Sequence, residues 1–236
     1  MNPPHLVLLP GLINDARLWQ GQSPTLSNFA GVTVGDITGA PSISALAASV
    51  LVKAPVEQFA LAGLSMGGYV ALEIMRQAPE RITHLALLDT SARPDTPEAT
   101  EGRRAMMKLS ETDFPAVVDA LAKKLLHPEH LKDEAMLGLV KAMGLSVGAE
   151  AYRRQQEAII GRIDSRPWLH RIQCPTLVLC GREDAVTPVS LHEEMAAEIP
   201  GAQLTILGDC GHLSALEQPE QVAEALRAWL VNPVNT

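Results

Sequence analysis

"LAGLSMGGYVAL", residues 61–72, runs an apolar segment straight into a serine set among glycines, and then into a segment of helical character. Residues 63–67 fit the spacing Gly-x-Ser-x-Gly, and their surroundings give that short pattern its meaning. A strand is read over 58–64, "QFALAGL", and a helix over 66–78, where Pro79 stops it. A strand that turns abruptly into a helix carries the serine on a strained corner, and glycines two positions to either side leave room for the backbone to cross there. Gly68 gives the helix further room to approach the sheet. A corner of this kind presents a hydroxyl as a nucleophile.

Working outward, further apolar runs stand at 5–10 ("HLVLLP"), 31–37, 82–89, 174–181 and 202–209. Most are continuous rather than alternating, as in strands covered on both faces of a parallel sheet. Helices are read near 15–29, 42–54, 188–199 and 217–231, with Thr187 as an N-cap ahead of Pro188 at the first helical position. Leu226, Trp229 and Leu230 recur at helical spacing and read as core. Strand alternating with helix implies an α/β fold with about six parallel strands. The alternation stops between 91 and 170, where pieces such as "ATEGRRAMMKLS" and "DFPAVVDALAKKLL" read as three or four short helices. The expected organisation is a core of residues 1–90 and 171–236 with a helical cap, 91–170, inserted over the ligand-binding ends of the strands.

A serine hydroxyl is a weak nucleophile and needs a base and a group to orient that base. Of the seven histidines, His212 follows the last strand in "GDCGHLSALEQPE", in a tight loop marked by Gly208 and Gly211, and is the candidate base. His5, His84, His170 and His192 have ordinary structural readings in or beside strands and helices. His127 and His130 form an HxxH with no carboxylate set nearby, so no metal is expected. Two acids satisfy the chain order serine, acid, histidine: Asp89, closing 82–89, and Asp184, in "GREDAVTP". Asp184 is favoured because its strand neighbours that of the histidine; Glu183 is expected to point elsewhere, and Cys210 to be a bystander. An oxyanion hole requires two backbone N–H groups, and Met66, next to the serine, and Leu12, after Gly11, are the candidates.

The motifs "LPGL" at 9–12, "GLSMGG" at 63–68, "GREDAVTP" at 181–188 and "DCGH" at 209–212 together resemble the α/β-hydrolase superfamily over essentially the whole chain. Many members carry His-Gly where this chain has Pro10-Gly11, and the chain begins at what looks like the family's third strand. The resemblance implies a serine hydrolase that cleaves small carboxylic esters through an acyl-enzyme, with Ser65, His212 and Asp184 as triad and no cofactor. It also implies alternatives: hydrolysis of enol-lactones or of carbon–carbon bonds, a lyase like that of the menaquinone pathway, perhydrolysis, or a receptor of the same fold that binds a small molecule without turnover. Haloalkane dehalogenation is excluded, because it uses aspartate where this chain has Ser65.

Composition narrows the partners. The formal net charge is −8, and the longest basic clusters are pairs such as Arg103/Arg104 and Lys123/Lys124, so nucleic acid is not expected. Among the cap arginines, which are expected mostly to pair with neighbouring glutamates, Arg93 lies closest to a strand end and is the candidate contact for an anionic substrate. No run approaches the ~20 apolar residues of a membrane span. The first residues lack a basic segment, and the three cysteines show no CxxC spacing. The expectation is a cytoplasmic monomer or homodimer acting on a small-molecule ester, with no metal.

Overall fold

The structure is a computed structural model that describes residues 4–231; the outermost residues assigned to the core, 1–3 and 232–236, lie outside the described residues. The elements run β1 (His5–Leu9), α1 (Ser23–Leu26), β2 (Gly31–Val34), α2 (Ile43–Lys53), β3 (Phe59–Leu64), α3 (Met66–Gln77) and β4 (Ile82–Leu88). The cap helices α4 (Pro97–Leu109), α5 (Phe114–Leu125), α6 (Glu134–Val147) and α7 (Ala149–Ile160) follow. The chain then returns through β5 (Thr176–Gly181), α8 (Val189–Glu198), β6 (Gln203–Leu207), α9 (Ser214–Glu217) and α10 (Pro219–Leu230). The six strands form one sheet in the order β2-β1-β3-β4-β5-β6, every neighbouring pair parallel.

Strand period two explains why both faces are apolar. Val7, Leu9, Leu61, Leu85 and Leu87 point to one face and pack with Leu46 of α2 and Val70 and Ile74 of α3. Leu6, Leu8, Ala62, Ala86 and Leu179 point to the other and pack with Trp19, Leu226 and Trp229. A strand read as a continuous apolar run therefore feeds two cores at once. The cap joins this body through Ile13, after β1, which is fully buried with Val117 and Tyr152.

Three local expectations are corrected. The helix read over 15–29 is instead a 3-10 turn at Ala16–Trp19 and the short α1, because Gly21 and Pro24 interrupt it and Gly21 lies close against Pro219. The helix read near 217–231 is α10, which starts at Pro219 rather than 217 because the short α9 ends at Glu217 and Pro219 lacks the N–H to join the two. Thr187 does not cap α8: the N-cap position is Pro188, and the Thr187 hydroxyl donates to Asp184 instead.

The β3–α3 corner has no space for side chains at its glycines. A Cβ on Gly63 would lie 2.3 Å from the carbonyl oxygen of Gly67, and one on Gly67 would lie 2.4 Å from that of Leu9. A Cβ on Gly68 would meet the side chain of Thr90 at 2.4 Å. These contacts are with backbone for Gly63 and Gly67, which cannot swing aside. Gly63→Ala is therefore expected to destabilise the fold by about 3 kcal/mol or more, read as a lowered midpoint in urea unfolding; an unchanged midpoint would show that the corner tolerates a Cβ.

Candidate active site

The carboxyl ends of the strands gather the backbone strain of the molecule. Among the described residues, the non-glycine positions with positive φ are Ile13, Ser65, Asp89 and Asp209, which follow β1, β3, β4 and β6. Each such residue costs on the order of 1–3 kcal/mol and persists only where its surroundings over-determine it. Ser65, at φ 55° and ψ −116°, has no side-chain cap bond to α3, so its hydroxyl is free to point away from the helix. Its backbone is held on every side: its N–H donates to Leu88 O at 2.9 Å, and its carbonyl accepts from Gly68 N at 2.9 Å and Thr90 Oγ1 at 2.8 Å.

Ser65, His212 and Asp184 meet in one hydrogen-bonded line. His212 Nε2 lies 2.8 Å from Ser65 Oγ, and His212 Nδ1 lies 2.8 Å from Asp184 Oδ2. Asp184 is fixed by Val186 N at 2.8 Å, Thr187 N at 2.9 Å and the Thr187 hydroxyl at 2.6 Å. Burial pushes the Asp184 carboxyl up, but the adjacent His212 and the Thr187 donors outweigh it and hold the group below the usual carboxylate range. Burial in turn opposes protonation of His212, yet the charges of Asp184, Asp89 and Glu217 more than offset it and raise the imidazole above its ordinary value. With its Nδ1 proton directed at Asp184, Nε2 is left as the acceptor facing Ser65.

Asp89 does not reach His212. Its oxygens accept from Gly181 N at 3.0 Å, from Ser214 N at 3.2 Å and from the Ser214 hydroxyl. Burial, reinforced by the charge of Asp184, pushes its carboxyl up to about 8. Asp89 thus ties the end of β5 to the histidine loop. Two other carboxylates complete the hold on that loop: Glu183 accepts from Cys210 N at 3.0 Å, and Glu217 accepts from Leu213 N at 3.1 Å and from His127 N at 2.7 Å. His212 N donates to Leu125 O of α5 at 2.9 Å, so the cap itself supports the loop. His130 Nδ1 sits 2.7 Å from Glu217 Oε2, which accounts for the HxxH; no group of three metal-ligating side chains occurs among the described residues. Cys210 is buried, and its thiol is pushed up by burial.

Two supporting residues lie outside the motifs: His192, which reads from sequence as an ordinary helical histidine, and Gln155, which carries no signal. His192, fully buried on α8, accepts from Thr90 N at 2.9 Å through Nε2, and burial lowers it to about 4, so it stays neutral beneath β4. Gln155 of α7, also fully buried, accepts from Ile13 N at 3.2 Å and donates to Ile37 O at 3.4 Å. Ile13 is the third residue of a turn closed by Asn14 N to Gly11 O at 3.2 Å, and its positive φ suits a β-branched residue poorly. Gln155 and the burial of Ile13 against the cap hold that turn. A buried glutamine at helical spacing beside Tyr152 and Ile159 carries no motif. The N–H groups of Leu12 and Met66 make no hydrogen bond among the described residues.

Above Ser65 and His212 lies a cavity of about 490 Å³, within the range that holds a small organic ligand. Leu12, Met106, Leu121, Leu125 and Ile159 make its walls largely apolar. Arg93 is not brought to it: its guanidinium is clamped by Glu194 at 2.9 Å and borders a separate cleft on the other side of Tyr69. The arginine in the wall is Arg103, whose partners are Asp95 and, at 2.9 Å, Gln156 Oε1 rather than a neighbouring glutamate of its own helix.

A sequence profile described as the alpha/beta hydrolase family matches residues 6–225. A 3-oxoadipate enol-lactonase from Acinetobacter baylyi is 28% identical over 73% of this chain, and the match spans 64% of that protein's length. A pimeloyl-[acyl-carrier protein] methyl ester esterase from Aromatoleum aromaticum is 27% identical over 94% of this chain and 96% of its own. Among solved structures, a thermophilic esterase from Thermogutta terrifontis superposes with a TM-score of 0.88 at 31% identity, covering 96% of this chain and 89% of that one.

Proposed function

The chain belongs to the alpha/beta hydrolase family, and from that premise we propose that Ser65 is the nucleophile of a carboxylesterase-type serine hydrolase. The observation that carries the reading is the line of two 2.8 Å contacts from Ser65 Oγ through His212 to Asp184, opening on an apolar cavity. Ser65 Oγ attacks the acyl carbon while His212 Nε2 takes its proton. The Leu12 and Met66 N–H groups, unpaired otherwise, receive the oxyanion. His212 then protonates the departing alkoxide, leaving an acyl-Ser65. A water, deprotonated by His212, attacks that ester and releases the acid. Asp184 keeps the imidazole in the tautomer this sequence requires. No cofactor takes part in these steps.

The cap, taken as residues 91–170, supplies walls to the cavity and anchors both the histidine loop and the turn that bears Leu12. The triad is complete within one chain, and a monomer or a homodimer of independent sites is the proposed state. No helix among the described residues is long and apolar enough to cross a membrane. The three cysteines are unpaired, which supports a reducing, cytoplasmic setting. Lactone hydrolysis is a second reading: a lactone is an internal ester, and Arg103 in the cavity wall can meet a carboxylate on such a substrate. Turnover of p-nitrophenyl esters from acetate to laurate, beside a panel of lactones, tests both. Saturable binding of an ester without product would support a receptor instead.

The electrostatics of His212 predict the pH profile. Only the neutral imidazole can accept the proton of Ser65, so kcat/KM falls as pH drops through the His212 pKa. Because Asp184, Asp89 and Glu217 raise that value above its ordinary one, the acid limb is expected to turn down above the pH of an unperturbed histidine. A midpoint at or below that of free histidine would show that the neighbouring carboxylates do not outweigh the burial of His212.

A further inference from the structure

Gly102 stands in the interior of α4, where glycine costs about 1 kcal/mol relative to alanine. The fold does not require it. Its φ is not positive, and a Cβ built on it meets nothing within 4 Å, so no close approach of another segment depends on its lack of a side chain. It is, however, a lining residue of the cavity above Ser65. The cavity changes character along its length. Its inner part is walled by the large side chains of Met106, Leu121, Leu125 and Ile159, whereas Ala99 and Gly102 of α4 and Ala120 of α5 line it where they are exposed to solvent. The exposed lining residues are thus Ala99, Gly102 and Ala120 together with the longer Glu98 and Lys124, and Gly102 is the one without a side chain.

A second observation concerns the floor. Asn14 lines the same cavity and is 1% exposed, yet its Nδ2 has no hydrogen-bond partner among the described residues. A buried amide donor left unsatisfied costs on the order of 1–3 kcal/mol, so Asn14 sets a polar group beside a cavity whose walls are otherwise largely apolar.

We propose that Gly102 is a specificity-determining residue: the gap it leaves between α4 and α5 admits esters whose hydrocarbon arm runs outward past the rim, so that long-chain esters are substrates. This rests on the reading of the Ser65 cavity as an esterase site. A leucine at Gly102 has open space to occupy and favours the helix, so the variant folds, and its side chain projects into the gap. Gly138 of α6 is a matched control, an exposed helical glycine whose Cβ would also meet nothing within 4 Å and which does not line the cavity.

The experiment measures kcat/KM for p-nitrophenyl acetate, butyrate, octanoate and laurate with the parent, Gly102→Leu and Gly138→Leu. The expected result is a loss of about tenfold or more for octanoate and laurate in Gly102→Leu, with the acetate rate within about twofold of the parent and Gly138→Leu unchanged throughout. An unaltered chain-length profile in Gly102→Leu, or an equal loss on every ester, overturns the gate while leaving the esterase reading intact. A parent that turns over none of the four overturns both. Equal losses in both leucine variants overturn the gate in favour of a general effect on the helices.

Discussion

Ser65→Ala is expected to lower kcat on p-nitrophenyl butyrate by about 10⁴-fold or more, since members of a nucleophile–base–acid set act as a unit and little catalysis survives loss of the first. The magnitude follows from the chemistry: without Oγ no acyl-enzyme forms, and what remains is attack by water assisted by His212 and the unpaired N–H groups of Leu12 and Met66. The variant is not expected to unfold. Ser65 makes no side-chain cap to α3, and its contacts with Leu88, Gly68 and Thr90 all use its backbone N–H or carbonyl, so none depends on the hydroxyl. A thermal melt alongside the kinetics separates lost chemistry from lost fold. Retention of kcat within about tenfold would remove Ser65 as nucleophile.

The second large effect separates two buried aspartates. Asp184→Asn is expected to cost on the order of 10³–10⁴ in kcat, because an amide facing His212 Nδ1 favours the tautomer that points a proton at Ser65 instead of accepting one. Asp89→Asn is expected to retain kcat within about tenfold but to unfold earlier. The amide leaves either the Gly181 N–H or the Ser214 N–H without an acceptor, a loss of about 1–3 kcal/mol at the point where β5 and the histidine loop join. Kinetics and urea unfolding of the two variants, run side by side, therefore give opposite orders. The reverse outcome, with Asp89→Asn inactive and Asp184→Asn active but unstable, would transfer the orienting role to Asp89.

The two aspartates also mark where sequence reasoning stops. Both stand just after a strand end, and both satisfy the chain order, so spacing favours one without deciding between them. What separates them in space is a choice of hydrogen bonds across 28 residues for Asp184 and His212, and across 125 for Asp89 and Ser214. The same distance problem separates two arginines. Arg93 and Arg103 look alike as cap arginines, but Glu194, 101 residues away, holds one, and Asp95 and Gln156 hold the other in the cavity wall. His192 and Gln155 were silent for a related reason: each acts by completing a buried backbone hydrogen bond, and the group it serves belongs to a distant turn.

Read alone, the chain determined whatever depends on near neighbours. The glycines around Ser65, the apolar runs covered on both faces and the break in alternation after residue 90 are local statements about backbone freedom and burial, and together they imply a six-stranded α/β core with a helical insertion. Only the tertiary structure decided which carboxylate faces the imidazole, which arginine lines the cavity, and that the cap braces the turn that holds Ile13 and the loop around His212. Those outcomes are contacts between side chains and backbone far apart in sequence, selected by the cost of leaving buried polar groups unpaired, and that cost can be evaluated only once the chain is folded.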